Sequence, residues 1–126
     1  MTKEEFLLDT IQHYNSTNRC VDGSCAYSPI SFGLEGVSKG CAIGRMLDPL
    51  HARLLDLHNL DYGVINAMKD FPEYFPEWMK QMDKTFLSAI QDLHDDEYYW
   101  DTKGLSEEGR KKVLSMILDY NLNMTI

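Results

Sequence analysis

One series of apolar residues constrains the fold of this chain more than any other segment. From Glu77 onward, apolar side chains recur every three or four residues, which is the period of one face of an α-helix; they are Trp78, Met82, Phe86, Ala89, Ile90 and Leu93. A helix of roughly 18 residues would be about 27 Å long, enough to organise a small domain. Since the chain has 126 residues, we expect a single compact domain over residues 1–126, built around this helix.

Start signals predict three further helices. A capping box opens the first helix over residues 3–15, an Asp-Pro pair opens the second, and a serine N-cap opens the last; the start residues are Thr2, Asp48 and Ser106. The second helix is expected to carry an apolar stripe formed by Leu50, Leu54 and Leu57.

The segment 19–45 has a different character. It is interrupted by glycines and a proline, which exclude a regular helix there: Gly23, Pro29, Gly33, Gly36 and Gly40. Two short extended pieces, Cys25–Tyr27 and Cys41–Ile43, are expected to pair and to bring Cys25 close to Cys41. The predicted fold is therefore mainly α (α+β), with about four helices and a small β-hairpin between the first and second helices.

The net charge of the chain limits the kinds of partner that we expect it to bind. The net charge is −8, from 20 acidic and 12 basic residues. Nucleic acids and anionic membranes are bound through basic surfaces, so we expect neither as a partner, and a host protein with a basic surface instead. The alternative is that the charge serves solubility alone. The sequence shows no signal peptide and no membrane-spanning stretch, so we expect a cytoplasmic protein whose three cysteines are reduced.

A thiol, an imidazole and a carboxylate are candidates for a catalytic site. Cys41 lies near Lys39 and Arg45, whose charges would stabilise a thiolate, and His94 could be a general base oriented by Asp95. The alternatives are a buried cysteine packed as a small hydrophobe and an ordinary histidine at a helix end. Lys39 and Arg45 could also hold a small anionic ligand such as a nucleotide. The cysteines lack the spacing of a zinc site, and neither a metal nor a cofactor is expected.

Acidic and aromatic residues are concentrated directly after His94. Carboxylates provide charge complementarity and aromatic rings provide contact area, a mixture typical of protein interfaces. The residues predicted to bind a partner are Asp95, Asp96, Glu97, Tyr98, Tyr99 and Trp100. The alternative is that Tyr98 and Trp100 pack onto the core while the acids face water.

Three pieces of the sequence together resemble a known group of proteins. They are Cys25 with Tyr27, residues 39–44 (Lys-Gly-Cys-Ala-Ile-Gly) and residues 90–95 (Ile-Gln-Asp-Leu-His-Asp). In this order they resemble small uncharacterised proteins common in bacteriophage and prophage genomes, although the loop between the two cysteines is longer here. The resemblance covers residues 24–95. It implies a phage source and no mechanism.

Three functions follow as hypotheses. The first is a small acidic phage accessory protein, in the cytoplasm of the host, that binds and inhibits a host protein such as a defence effector. The second is an enzyme with Cys41 as nucleophile and His94 as base. The third is a protein that binds a small anionic ligand through Lys39 and Arg45.

Overall fold

The computed structural model describes residues 1–17, 41–57 and 64–126. Over these ranges the protein is mainly helical with one small antiparallel sheet, as predicted. The described ranges contain six α-helices and two strands: α1 (Lys3–His13), α2 (Pro49–Leu57), α3 (Val64–Asp70), α4 (Glu77–Lys80), α5 (Lys84–Asp95), β1 (Trp100–Asp101), β2 (Gly104–Leu105) and α6 (Glu107–Asp119). None of these helices is long and apolar enough to cross a membrane.

The first helix begins where its sequence predicts. The backbone N–H of Glu5 donates to the Thr2 hydroxyl at 3.1 Å, and the N–H of Thr2 donates to the Glu5 carboxylate at 3.0 Å, which completes the capping box. The helix ends at His13, two residues before the predicted end, and buries Phe6 and Leu7 in the core.

The long helix predicted from Glu77 is two helices. α4 ends at Lys80, and Asp83 then caps α5 by accepting a hydrogen bond from the backbone N–H of Thr85 at 2.9 Å. An aspartate side chain competes for backbone N–H groups, so it starts a new helix more readily than it continues an old one. The apolar face of α5 is buried as predicted, through Phe86, Leu87, Ile90 and Leu93.

The hairpin lies elsewhere than predicted. In the described part of the chain, β1 pairs with β2 between α5 and α6, whereas the sequence predicted a hairpin between the first two helices, and six α-helices are present there where about four were expected. Residues 41–43 form a turn that leads into a 3₁₀ turn at Gly44–Met46, with the N–H of Arg45 bonded to the Cys41 carbonyl at 3.0 Å. The other predicted strand, Cys25–Tyr27, and its approach to Cys41 lie outside the described residues.

The second helix leaves two residues of its predicted apolar stripe exposed. Ala52 and Leu55 are its buried residues, whereas Leu50 and Leu57 are 62% and 71% exposed. Residues 50 and 57 lie on one side of a helix and residues 52 and 55 on the other. The apolar stripe was identified correctly in the sequence, but it is not the surface that packs into the core.

The last helix, α6, packs against the turn at residues 97–99, which precedes the hairpin. Ser106 caps α6 by accepting a hydrogen bond from the N–H of Gly109 at 3.1 Å, as its position in the sequence predicts. Gly109 lies so close to the Tyr99 carbonyl that a β-carbon there would clash with it. The glycine therefore permits a close approach of α6 to residues 97–99.

Candidate functional site

Cys41 lies in the core beside α5. Its side chain is 1% exposed, and the thiol sulfur accepts a hydrogen bond from the N–H of Gly44 at 3.2 Å. The N–H of Ile43 donates to the side-chain oxygen of Gln91 at 3.2 Å, which ties the turn to α5. This hydrogen bond brings the turn that carries the thiol next to α5, although the two segments are about 50 residues apart in the sequence.

Burial determines the chemistry of this thiol. Loss of contact with water is the main cause that raises the pKa of Cys41 to about 12. The hydrogen bond from the Gly44 N–H lowers the pKa by less than burial raises it, and the negative charge of Asp95 is a still smaller contribution in the raising direction. Cys41 therefore keeps its proton at neutral pH, where a nucleophilic cysteine would be a thiolate.

His94 is buried at the end of α5. Its ring packs against Tyr14 in a T-shaped contact, with 4.6 Å between centroids, and its Nδ1 lies 3.0 Å from the Asp95 carboxylate. Although neighbouring helix residues point apart, Asp95 is the last residue of the helix and contacts the imidazole. Asp95 thus contacts His94, and its charge acts on Cys41, while the thiol and the imidazole are both buried in the core.

Arg45 is already engaged by other residues. Its guanidinium forms an ion pair with Asp9 and lies 5.6 Å from the centre of the Tyr14 ring, as in a cation–π contact. An arginine held between a carboxylate and a ring has little capacity left for an anionic ligand. Lys39, the other predicted ligand-binding residue, lies outside the described residues. Within the described ranges, no group of three or more His, Cys, Asp or Glu side chains could hold a metal ion.

The acidic and aromatic segment forms a rigid turn. The Asp96 carboxylate accepts a hydrogen bond from the N–H of Tyr98 at 3.0 Å and starts a 3₁₀ turn at Glu97–Tyr99. Ser106 holds the turn from the other side, because its N–H donates to the Tyr99 carbonyl at 2.9 Å and its hydroxyl donates to the Tyr98 carbonyl. Tyr98 is left 73% exposed.

Trp100 belongs to the core and not to the surface on which it was predicted. Its side chain is 5% exposed, and its indole N–H donates to the Leu93 carbonyl at 2.8 Å. A tryptophan side chain can bury its large apolar area when its indole N–H has a hydrogen-bond acceptor. The Leu93 carbonyl provides that acceptor, because carbonyl groups near the end of a helix such as α5 lack intrahelical partners. Trp100 therefore cannot touch a partner, and it anchors the exposed turn to α5.

The surface beside this turn is an open depression of about 410 Å³. Its lining combines three carboxylates, one phenol ring and one lysine: Asp92, Asp95, Asp96, Tyr99 and Lys112. We call this depression together with Glu97 and Tyr98 the acidic platform. Lys112 was not among the residues that the sequence singled out, because it comes from α6 and no local pattern connects it to residues 92–99.

Comparisons with protein-family models, with curated proteins and with solved structures found no match to this chain.

Proposed function

We propose that this protein acts by binding: it is a small phage-type accessory protein whose acidic platform engages a basic surface of a host protein, such as a defence effector, and inhibits it. The observation that carries the proposal is Tyr98, a large side chain that is 73% exposed and follows four carboxylates closely in the sequence. Those carboxylates belong to Asp92, Asp95, Asp96 and Glu97. Exposed aromatic anchors with complementary charge around them are typical of binding hot spots.

The rigidity of the turn supports this function. Capping by Asp96, two hydrogen bonds from Ser106 and burial of Trp100 hold the backbone on both sides of Tyr98. Ordering a side chain on binding costs about 0.5–1.5 kcal/mol. A turn that is already ordered avoids much of this cost, so the protein can bind tightly through a small surface.

The net charge of −8 supports the choice of a basic partner. A strongly negative protein attracts a basic surface over about one Debye length, which accelerates encounter and makes the association sensitive to salt. The carboxylates of the platform add a local charge at the place of contact. We therefore expect the affinity to fall as the salt concentration rises.

The surroundings of Cys41 and Arg45 favour binding over the two other hypotheses. An enzyme would need a thiolate that a substrate can reach, whereas Cys41 is buried and its pKa is raised to about 12. An anion site would need a free cation, whereas Arg45 is paired with Asp9.

The test is capture of a host protein by the purified chain and by two double variants. Asp92→Lys/Glu97→Lys reverses two platform charges and leaves the Asp96 cap and the His94–Asp95 contact in place. Glu73→Lys/Asp119→Lys is the matched control, because it changes the net charge equally and Asp119 is at the far end of α6, about 15 Å from Gly109. We expect the wild type and the control to capture the same protein and to inhibit it.

The platform variant should bind that protein at least tenfold more weakly, measured by calorimetry. Equal affinity of the platform variant and the control would contradict the proposal. Failure of the wild-type chain to capture any specific host protein would also contradict it. Thermal unfolding of all three chains checks that they are folded.

A further inference from the structure

We infer that residues 122–126, which follow α6, form a releasable strap: the strap lies across α1 and α6, and it opens while the helices stay folded when Glu4 loses its charge. The backbone N–H of Asn123 donates to the Glu4 carboxylate of α1 at 3.1 Å. At the other end, the Arg110 guanidinium of α6 donates to the Ile126 carbonyl at 3.4 Å. Two charged side chains therefore hold a segment that has no charged side chain of its own.

The strap is joined to α6 through a single residue in an uncommon backbone conformation. Asn121 has a φ of 51°, in the left-handed region that residues other than glycine rarely adopt. The N–H of Asn121 donates to the Leu118 carbonyl at 3.3 Å, and the N–H of Leu122 donates to the Ile117 carbonyl at 2.9 Å, which is the bond pattern of a Schellman turn. Rotation of the backbone at Asn121 can release the strap without unwinding the helix.

Few contacts hold the strap closed. Its partly buried apolar side chains pack against the core and alternate with exposed polar ones; the apolar residues are Leu122, Met124 and Ile126. The backbone N–H groups of Met124 and Thr125 donate no hydrogen bond within the described ranges. Segments with few buried contacts and few backbone hydrogen bonds open locally, before the whole protein unfolds. We therefore expect the strap to open before α6, whose Val113 and Met116 are buried.

The charge of Glu4 favours the closed strap. The hydrogen bond from the Asn123 N–H is the largest cause that lowers the pKa of Glu4 below its ordinary value of 4.5. The closed strap thus favours the ionised carboxylate, so this stabilisation is present above pH 4.5 and is lost as the pH falls through the lowered pKa. Lys3 lowers and Glu5 raises the same pKa; both belong to α1, so neither moves with the strap.

The experiment measures amide hydrogen exchange by NMR in the full chain, with each rate compared with that of an unstructured peptide. Leu122 and Asn123 report opening of the strap, and Ile90 of α5 reports opening of the core. Glu4→Gln removes the charge, and at about pH 6 we expect it to lower the protection of the two strap amides roughly two- to fivefold. Glu73→Gln changes the net charge equally and should leave that protection unchanged. The protection of Ile90 should be the same in all three chains.

Acidification is the second arm of the test. Between about pH 6 and about pH 3, the protection of Leu122 and Asn123 should fall in the wild type by the same factor, and Glu4→Gln should lack this fall. Equal protection of the strap amides in Glu4→Gln and Glu73→Gln would overturn the inference. Protection of Leu122 as strong as that of Ile90 would also overturn it, because the strap would then open only with the whole protein.

Thermal unfolding checks that both variants are folded. If Glu4→Gln does not fold, the wild-type acidification decides the question. A loss of protection confined to Leu122 and Asn123 supports the inference, whereas no loss, or an equal loss at Ile90, overturns it.

Discussion

The turn at Cys41 contacts α5 through Gln91, the acidic platform includes Asp92 and Asp95 of the same helix, and the two regions differ in whether their polar groups are buried or exposed. At Cys41, a thiol and an imidazole are taken into the core, and burial keeps the thiol protonated. At the platform, carboxylates and Tyr98 remain in water, and their backbone is fixed by hydrogen bonds. Residue type alone is therefore a poor guide to function, because burial suppresses the reactivity of a cysteine whereas acids on a hydrogen-bonded turn stay accessible to water.

The largest expected effect is a loss of stability, and it should distinguish Trp100 from Tyr98, two positions earlier. Trp100→Ala should lower the free energy of unfolding by about 3–5 kcal/mol, because it removes a buried indole and leaves the Leu93 carbonyl without its donor. Tyr98→Ala should change stability by less than about 0.5 kcal/mol but weaken partner binding by at least tenfold. Urea unfolding and calorimetry measure the two effects. Similar losses of stability in both variants would break the distinction between core and platform.

The next prediction tests the burial of Cys41 through the pH dependence of the free energy of unfolding. The unfolded thiol ionises near pH 9 and the native thiol near pH 12. Above pH 9 the unfolded chain therefore binds fewer protons than the native protein, so the stability from the neutral thiol is complete below pH 9 and is lost as the pH rises toward 12. A difference of about three units between the native and unfolded pKa values corresponds to a loss of about 4 kcal/mol in the free energy of unfolding once the thiol is ionised in both states.

Cys41→Ala removes this dependence, and comparison with the wild type cancels the titration of lysines and tyrosines. The substitution should cost on the order of 1 kcal/mol at pH 7 through lost packing. By pH 11 the order should reverse, with the variant more stable than the wild type in urea unfolding. A constant difference between the two chains from pH 7 to pH 11 would show that Cys41 is accessible to water.

The smallest effect tests the rigidity of the platform without changing its charge. Ser106→Ala removes the N-cap of α6 and the bond to the Tyr98 carbonyl, and it should cost about 1–2 kcal/mol of stability. It should also speed amide hydrogen exchange at Tyr98 and Tyr99 and weaken binding of the partner. Ser115→Ala, an exposed serine in the same helix, is the control and should change stability by less than about 0.5 kcal/mol. Slow exchange in Ser106→Ala would mean that the turn is held by Trp100 and Asp96 alone.

Much of the secondary structure could be predicted because its signals are local. The capping box at Thr2, the start at Asp48-Pro49 and the N-cap at Ser106 each act within one helical turn, and all three are found where the sequence places them. The break between α4 and α5 was missed, although Asp83 carries the signal for it. The apolar period continues across the break and conceals it, because Met79 on one side and Phe86 on the other are both buried.

The sequence by itself determined the mainly helical class and the starts of α1, α2 and α6, because these depend on short-range hydrogen bonds and on the apolar period. The tertiary structure decided which side chains face water. Trp100 is buried because the Leu93 carbonyl lies within its reach, and Lys112 joins the depression because Gly109 lets α6 approach residue 99. The outward turn of Leu50 and Leu57 was likewise decided by packing. Contacts between distant segments depend on the whole fold, and no local pattern encodes them.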